Sequence, residues 1–152
     1  MMKIDDDESG SKAEIDTLTA AFYRAVSFDD GESPPYVNLY DIFFESGQII
    51  KNSSSSPEIY TVRQFVEPRQ RMIDSGDLKS LRESETAEIT EIFGNVAHRF
   101  SVYEKHGLSA GTMIEGHGVI VIQFIATPTG WKISSMAWDD ERQGLTIPEP
   151  YQ

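Results

Sequence analysis

Three side chains of this sequence have the type and setting for proton chemistry: His98, Glu91 and Asp139. A neutral imidazole gives or takes a proton near pH 7. The turn Gly94-Asn95, with glycine first, suits a type II′ hairpin and pairs Phe93 with Val96. Counting outward sets Glu91 opposite His98, where a carboxylate would orient the ring and raise its pKa. The competing reading is an ion pair on a sheet surface. Asp139 suits the general base of an isomerase or dehydratase. Its competing reading is one charge in the solvated run Asp139-Asp140-Glu141-Arg142. Glu83 and Glu85 share a face with Leu81 and Ala87, but both lie beyond the paired length of the next strand, which favours a solvated edge. His98, His106 and His117 have no metal-ligand spacing, so neither a metal site nor a cofactor is expected. Gly116-His117-Gly118 sits inside a strand pattern and reads as a bulge or bend, not as a phosphate loop.

The elements that must position these groups divide near Leu78, where the apolar period changes from 3.6 to 2. Upstream, Ser11 and Glu14 have capping-box spacing, and Ile15, Leu18, Phe22 and Val26 form a stripe, predicting a helix over 12–27. Pro34-Pro35 leads to a short helix with Tyr36, Leu39, Tyr40 and Phe43 on one face. Gly47 ends it, 48–51 reads as a short strand, and 52–57 as a serine-rich flap. Thr61 and Gln64 form a second capping box before a helix that Pro68 should kink. Downstream, strands are predicted over 78–93, 95–105, 111–126 and 131–140. The chain reads as an acidic flexible lead-in (1–10), one domain (11–142) and a C-terminal tail (143–152).

The run from Gly116 to Ile125 is the most apolar in the chain, and apolar on both faces. A strand alternates its side chains, so this one should be central, with helices on one side and a second subunit on the other. Thr127-Pro128-Thr129-Gly130 pairs Ala126 with Trp131 and aligns Gly118 with Asp139. With 106–110 as the middle loop, His98, Gly118 and Asp139 share a row, His98 and Asp139 about 10 Å apart. The inner face then holds His98, Glu91, Ile89, Phe100 and Ile122. The outer, dimer-forming face holds Tyr103, Val119, Val121, Gln123, Met136 and Trp138.

A net charge of −12 opposes approach to phosphate backbones and anionic membranes, so neither nucleic acid nor membrane is an expected partner. With no cysteine, disulfides and thiolate chemistry are excluded. The first residues, Met-Met-Lys-Ile-Asp-Asp-Asp-Glu, lack the apolar core of a signal peptide, and a cytoplasmic location is expected.

Helices followed by a long antiparallel meander resemble the nuclear transport factor 2-like superfamily, over roughly 12–142. The local likeness lies in Phe93-Gly94-Asn95-Val96-Ala97-His98, Ser101-Val102-Tyr103-Glu104, Ile122-Gln123-Phe124, Gly130-Trp131-Lys132-Ile133 and Trp138-Asp139-Asp140-Glu141. The resemblance implies a cone-shaped α+β fold like that of SnoaL-like cyclases and ketosteroid isomerases. It also implies dimers across the outer sheet face and a small molecule held between inner face and helices. No catalytic residue of those enzymes aligns here. Two functions follow as expectations. One is an apolar pocket for a small apolar or carbonyl-containing molecule, lined by Phe22, Tyr40, Phe43, Phe65, Phe100 and Ile122, with isomerase, cyclase or dehydratase chemistry. The other is a non-catalytic dimeric module or scaffold, like the small subunit of ring-hydroxylating dioxygenases. Polar groups converging inside the cone would separate the two.

Overall fold

The structure is a computed structural model and describes residues 6–152. Helix α1 spans Asp6–Val26, so 6–10 of the expected lead-in is helical; 1–5 lie outside the described residues. Glu14 does not cap the helix: its carboxylate accepts the backbone N–H of Trp131 across the core. A 3₁₀ turn, Tyr36–Asn38, runs into the single-turn helix α2, Leu39–Ile42. Strand β1 begins at Phe43, earlier than expected, and spans Phe43–Lys51. Gly47 lies in its irregular stretch, where a Cβ would press on the Phe44 carbonyl oxygen at 2.9 Å. Strand β2 is Glu58–Tyr60. Helix α3, Val62–Asp74, starts at the expected capping box and runs unbroken through Pro68. Gln64 N donates to Thr61 Oγ1 at 3.2 Å, and Thr61 N donates to Gln64 Oε1 at 3.0 Å.

Strands β3 (Leu78–Phe93), β4 (Val96–Ser109), β5 (Thr112–Thr127) and β6 (Gly130–Asp140) form the meander. The six-stranded sheet has the order β2-β1-β6-β5-β4-β3, antiparallel except between β1 and β6. The core fills the space between its concave face and the helices, around Ile15, Phe22, Leu39, Phe65, Ile122 and Phe124.

The faces are the reverse of those expected for β4, and three local features explain it. The β4–β5 turn is Ala110-Gly111, both with positive φ, so pairing continues to Ser109 and Thr112. Gly118 therefore meets Tyr103, five positions beyond His98, and an odd slip exchanges the faces of a strand. An extra residue, Ser134, brings Asp140 rather than Asp139 opposite Gly118. A second extra residue, Thr86, sets Glu85 opposite Tyr103 instead of Glu104. Arg99, Ser101, Tyr103, Met136, Trp138 and Asp140 consequently share the helix-facing side with Ile122. His98, Phe100, Val119, Val121, Gln123 and Asp139 point outward.

One buried cation ties α1 to this sheet. Arg99 is 3% exposed and bonds both Glu85 oxygens, Asp16 at 2.6 Å and Thr90. Such a cation is tolerated inside only because its donors are met; losing one partner of a buried pair costs on the order of 3 kcal/mol. At the helix end, Phe28 bridges Leu81, and Ser27 Oγ bonds the Glu83 backbone N at 3.0 Å. The C-terminal segment folds back over the outer face: Ile147 is buried, and the Tyr151 ring lies 5.2 Å from that of Phe100.

Candidate active site

Between α1, α3 and the concave face lies a cavity of about 250 Å³, partly open to solvent. Its apolar lining includes Phe22, Val26, Phe65, Leu78, Ile120 and Trp138. Phe65 packs edge-on to both Trp138, centroids 6.3 Å apart, and Tyr36, 6.4 Å apart. The polar groups facing it are Tyr36, Arg69, Glu83, Tyr103, Lys105 and Asp140, with Lys51 and Ser53. An apolar cavity with a few convergent polar groups is the ordinary form of a small-molecule site. A larger, more open surface groove beside Asp16 and Arg24 also takes in Glu83.

The sheet positions these groups in two adjacent rows. Glu83, Lys105 and Gly116 form one; Glu85, Tyr103, Gly118 and Asp140 form the other. The two glycines are the reason β4 can reach β6 across β5. The Tyr103 ring lies over Gly118, and a Cβ there would fall inside van der Waals contact with the phenol. A Cβ on Gly116 would meet the Lys105 chain at 3.3 Å. Across this gap Tyr103 Oη donates to Asp140 Oδ1, and Lys105 Nζ donates to the same oxygen at 3.0 Å. Gly116-His117-Gly118 is thus regular, unbulged strand cleared for two side chains.

Burial governs the titration of the site. Glu83 is pushed up to about 7, chiefly by burial and also by the charge of Asp140; Lys105 and Arg69 act against it. It thus changes protonation near neutrality. Burial, then the bond and charge of Asp140, push the Tyr103 phenol far up, so it stays protonated and donates. Tyr36 is raised to about 12 by burial. Arg69 lies over the Phe65 ring, 3.7 Å from its centroid, and burial lowers its pKa.

Of the expected site residues, Phe22 and Phe65 line the cavity. Phe43 and Ile122 are buried in the core without lining it, and Tyr40 is half exposed on α2. Phe100 lies on the outer face under Tyr151. His98 and Glu91 do pair, Nε2 to Oε1 at 3.0 Å, but on the outer face, with side chains 60% and 72% exposed. Asp139 also points outward and accepts from Arg142 at 2.6 Å. None of the three reaches the cavity, because the faces of β4 and β6 are exchanged. Tyr103, Met136 and Trp138, expected at a dimer contact, face inward for the same reason. The sequence reading passed over Arg69, Lys105 and Asp140, and set Glu83 aside. Their one signal was the pair of glycines in the most apolar strand, since strand glycines mark close approach. Among the described residues no three His, Asp or Glu side chains converge as metal ligands, and no helix is long and apolar enough to cross a membrane.

No family model and no curated protein matches the chain. Solved structures do. A nuclear transport factor 2-like superfamily protein from Salmonella enterica superposes with a TM-score of 0.71 at 15% identity, covering 93% of this chain and 97% of that one. A nuclear transport factor 2-like protein of unknown function from Prochlorococcus gives 0.67 at 21% identity, covering 87% and 94%. A cystatin-like-fold protein from Caulobacter vibrioides gives 0.67 at 11% identity, covering 89% and 92%. The chain has the nuclear transport factor 2-like, cone-shaped α+β fold.

Gly118→Ala should force the Tyr103 ring off Asp140. The expected cost is about 1–3 kcal/mol, as for other overpacked cores. Chemical denaturation measures the cost. An unchanged midpoint would show that Tyr103 does not need the space.

Proposed function

We propose that this is a cytoplasmic protein that binds a small carbonyl-containing molecule in its cavity and moves a proton on it, as isomerases, cyclases and dehydratases do. The observation that carries this reading is the placement of Glu83 in the cavity wall beside Lys105, Arg69 and Asp140, where burial pushes its carboxyl up to about 7. A carboxylate so placed is matched to abstract and return a proton at neutral pH. As it takes a proton beside a carbonyl, negative charge develops on the carbonyl oxygen. Lys105 has three N–H donors and gives one to Asp140, leaving others for that oxygen. Tyr103 holds Asp140, and through it Lys105, in position. The convergence of these groups favours catalysis over the scaffold reading.

5-Nitrobenzisoxazole, which opens when a base removes its ring proton, reports such a carboxylate. Its turnover should rise with pH through about 7 and fall about 100-fold or more in Glu83→Gln. Equal rates in the two proteins would contradict the assignment.

We also propose a homodimer through the outer sheet face. Ile89, Val121, Phe93 and Val96 lie exposed there, and Phe93 is 87% accessible. They form two apolar rows flanking the polar row Glu91, His98 and Gln123, and exposed apolar side chains grouped on one sheet face mark a contact surface. Val121→Glu should elute as monomer on gel filtration; a wild-type monomer at micromolar concentration would refute the contact.

A further inference from the structure

We infer that the molecule held in the cavity carries a carboxylate, and that Arg69 receives it. This rests on the cavity being a small-molecule site, as proposed above, and adds the chemical class of the ligand. Arg69 differs from the other inward or strapped arginines. Arg99 reaches Glu85 and Asp16, Arg82 reaches Asp29, and Arg142 reaches Asp139, all within 2.8 Å. Among the described residues Arg69 meets no carboxylate within ion-pair distance. Its one hydrogen bond runs from Nη1 to the Phe65 carbonyl oxygen at 3.1 Å. The remaining N–H groups of the fork have no protein acceptor among the described residues, although the side chain lines the cavity. Two aromatic rings fix the guanidinium plane: Phe65 at 3.7 Å and Tyr60 at 5.8 Å. An arginine immobilised on aromatic faces with free donors is pre-organised for a planar, bidentate anion.

The charge balance agrees. In a chain of net charge −12, the cavity is lined by three cations, Lys51, Arg69 and Lys105, against two carboxyls, Glu83 and Asp140. The charges of Lys105 and Asp140 are paired. What is left is Lys51 and Arg69 facing Glu83, so the cavity lining is net positive in either protonation state of Glu83. The aromatic and aliphatic lining suits the body of a hydrophobic acid. The planar guanidinium suits its carboxylate. Under the proposed reaction the substrate is then an apolar oxo acid. Arg69 anchors it and Glu83 reaches its acidic C–H.

Benzoate and benzamide have nearly the same shape and differ in charge, so they separate the anion from the pocket. Binding is measured by calorimetry at pH 6.5, with the Trp138 indole N–H followed by nuclear magnetic resonance to confirm occupancy of the cavity. Benzoate is expected to bind at least tenfold tighter than benzamide. Arg69→Gln should remove that preference and leave benzamide within about twofold. Equal affinities in the wild type, or a benzoate affinity that Arg69→Gln leaves unchanged, would overturn the carboxylate inference while the pocket stands. Failure of both probes to bind or to move Trp138 would overturn the pocket and the inference together. The wild-type comparison decides the matter even if Arg69→Gln does not fold.

Discussion

The site depends on an absence of atoms. At Gly118 the sheet has no side chain on its concave face, and the Tyr103 ring occupies that volume to reach Asp140 on the far strand. Any Cβ would close the path, since interiors packed at crystal density cannot absorb an extra carbon without displacement. Gly116 does the same for Lys105 one row away. These two glycines give up β-propensity and packing area in the most apolar strand of the chain. They gain a three-membered polar cluster set against a hydrophobic wall. Two of the cluster's members donate to a single carboxylate oxygen of the half-buried Asp140.

Glu83 stands beside this cluster in a contrasting condition. Its backbone is held firmly, by Ser27 on one side and by the ladder to Lys105 on the other. Its carboxyl receives no comparable compensation, and burial leaves it near the midpoint of its titration at neutral pH. The framework that makes this possible lies one layer away, where Arg99, Glu85, Asp16 and Ser101 satisfy one another almost completely. One polar network is closed and structural; the other is open to a cavity. That division of labour places the reactive carboxyl on a rigid strand instead of a loop.

Much of the fold was legible in the sequence. The change of period at Leu78 separated helices from sheet, and the capping box at Thr61 set the start of α3 to the residue. The Gly94-Asn95 turn gave the β3–β4 register near the hairpin, including the Glu91–His98 pair. The faces were not legible, and the candidate site went with them. Ala110 turns at positive φ without being Asn, Asp or Gly, so the middle loop looked longer than it is. The extra residues at Thr86 and Ser134 have no glycine or proline to announce them. Each event shifts pairing by an odd count, which moves every later side chain across the sheet. Pairs between a turn and the first extra residue survived, such as Glu91–His98 and Ala126–Trp131; Glu85–Glu104 and Gly118–Asp139, which lie past one, did not, and neither did the row read across three strands. The Ser11–Glu14 spacing misled for another reason, because Glu14 serves a tertiary contact with Trp131.

The central claim is that the cone holds a carboxyl poised between its two protonation states at neutral pH. Carbon-13 nuclear magnetic resonance of the Glu83 carboxyl, assigned by its loss in Glu83→Gln, measures this directly in the unmodified protein. The account predicts a midpoint at about 7, well above the solvated glutamate value of about 4.3. A midpoint between about 4 and 5 would show a solvated side chain and would contradict the assignment of the cavity as an acid–base site.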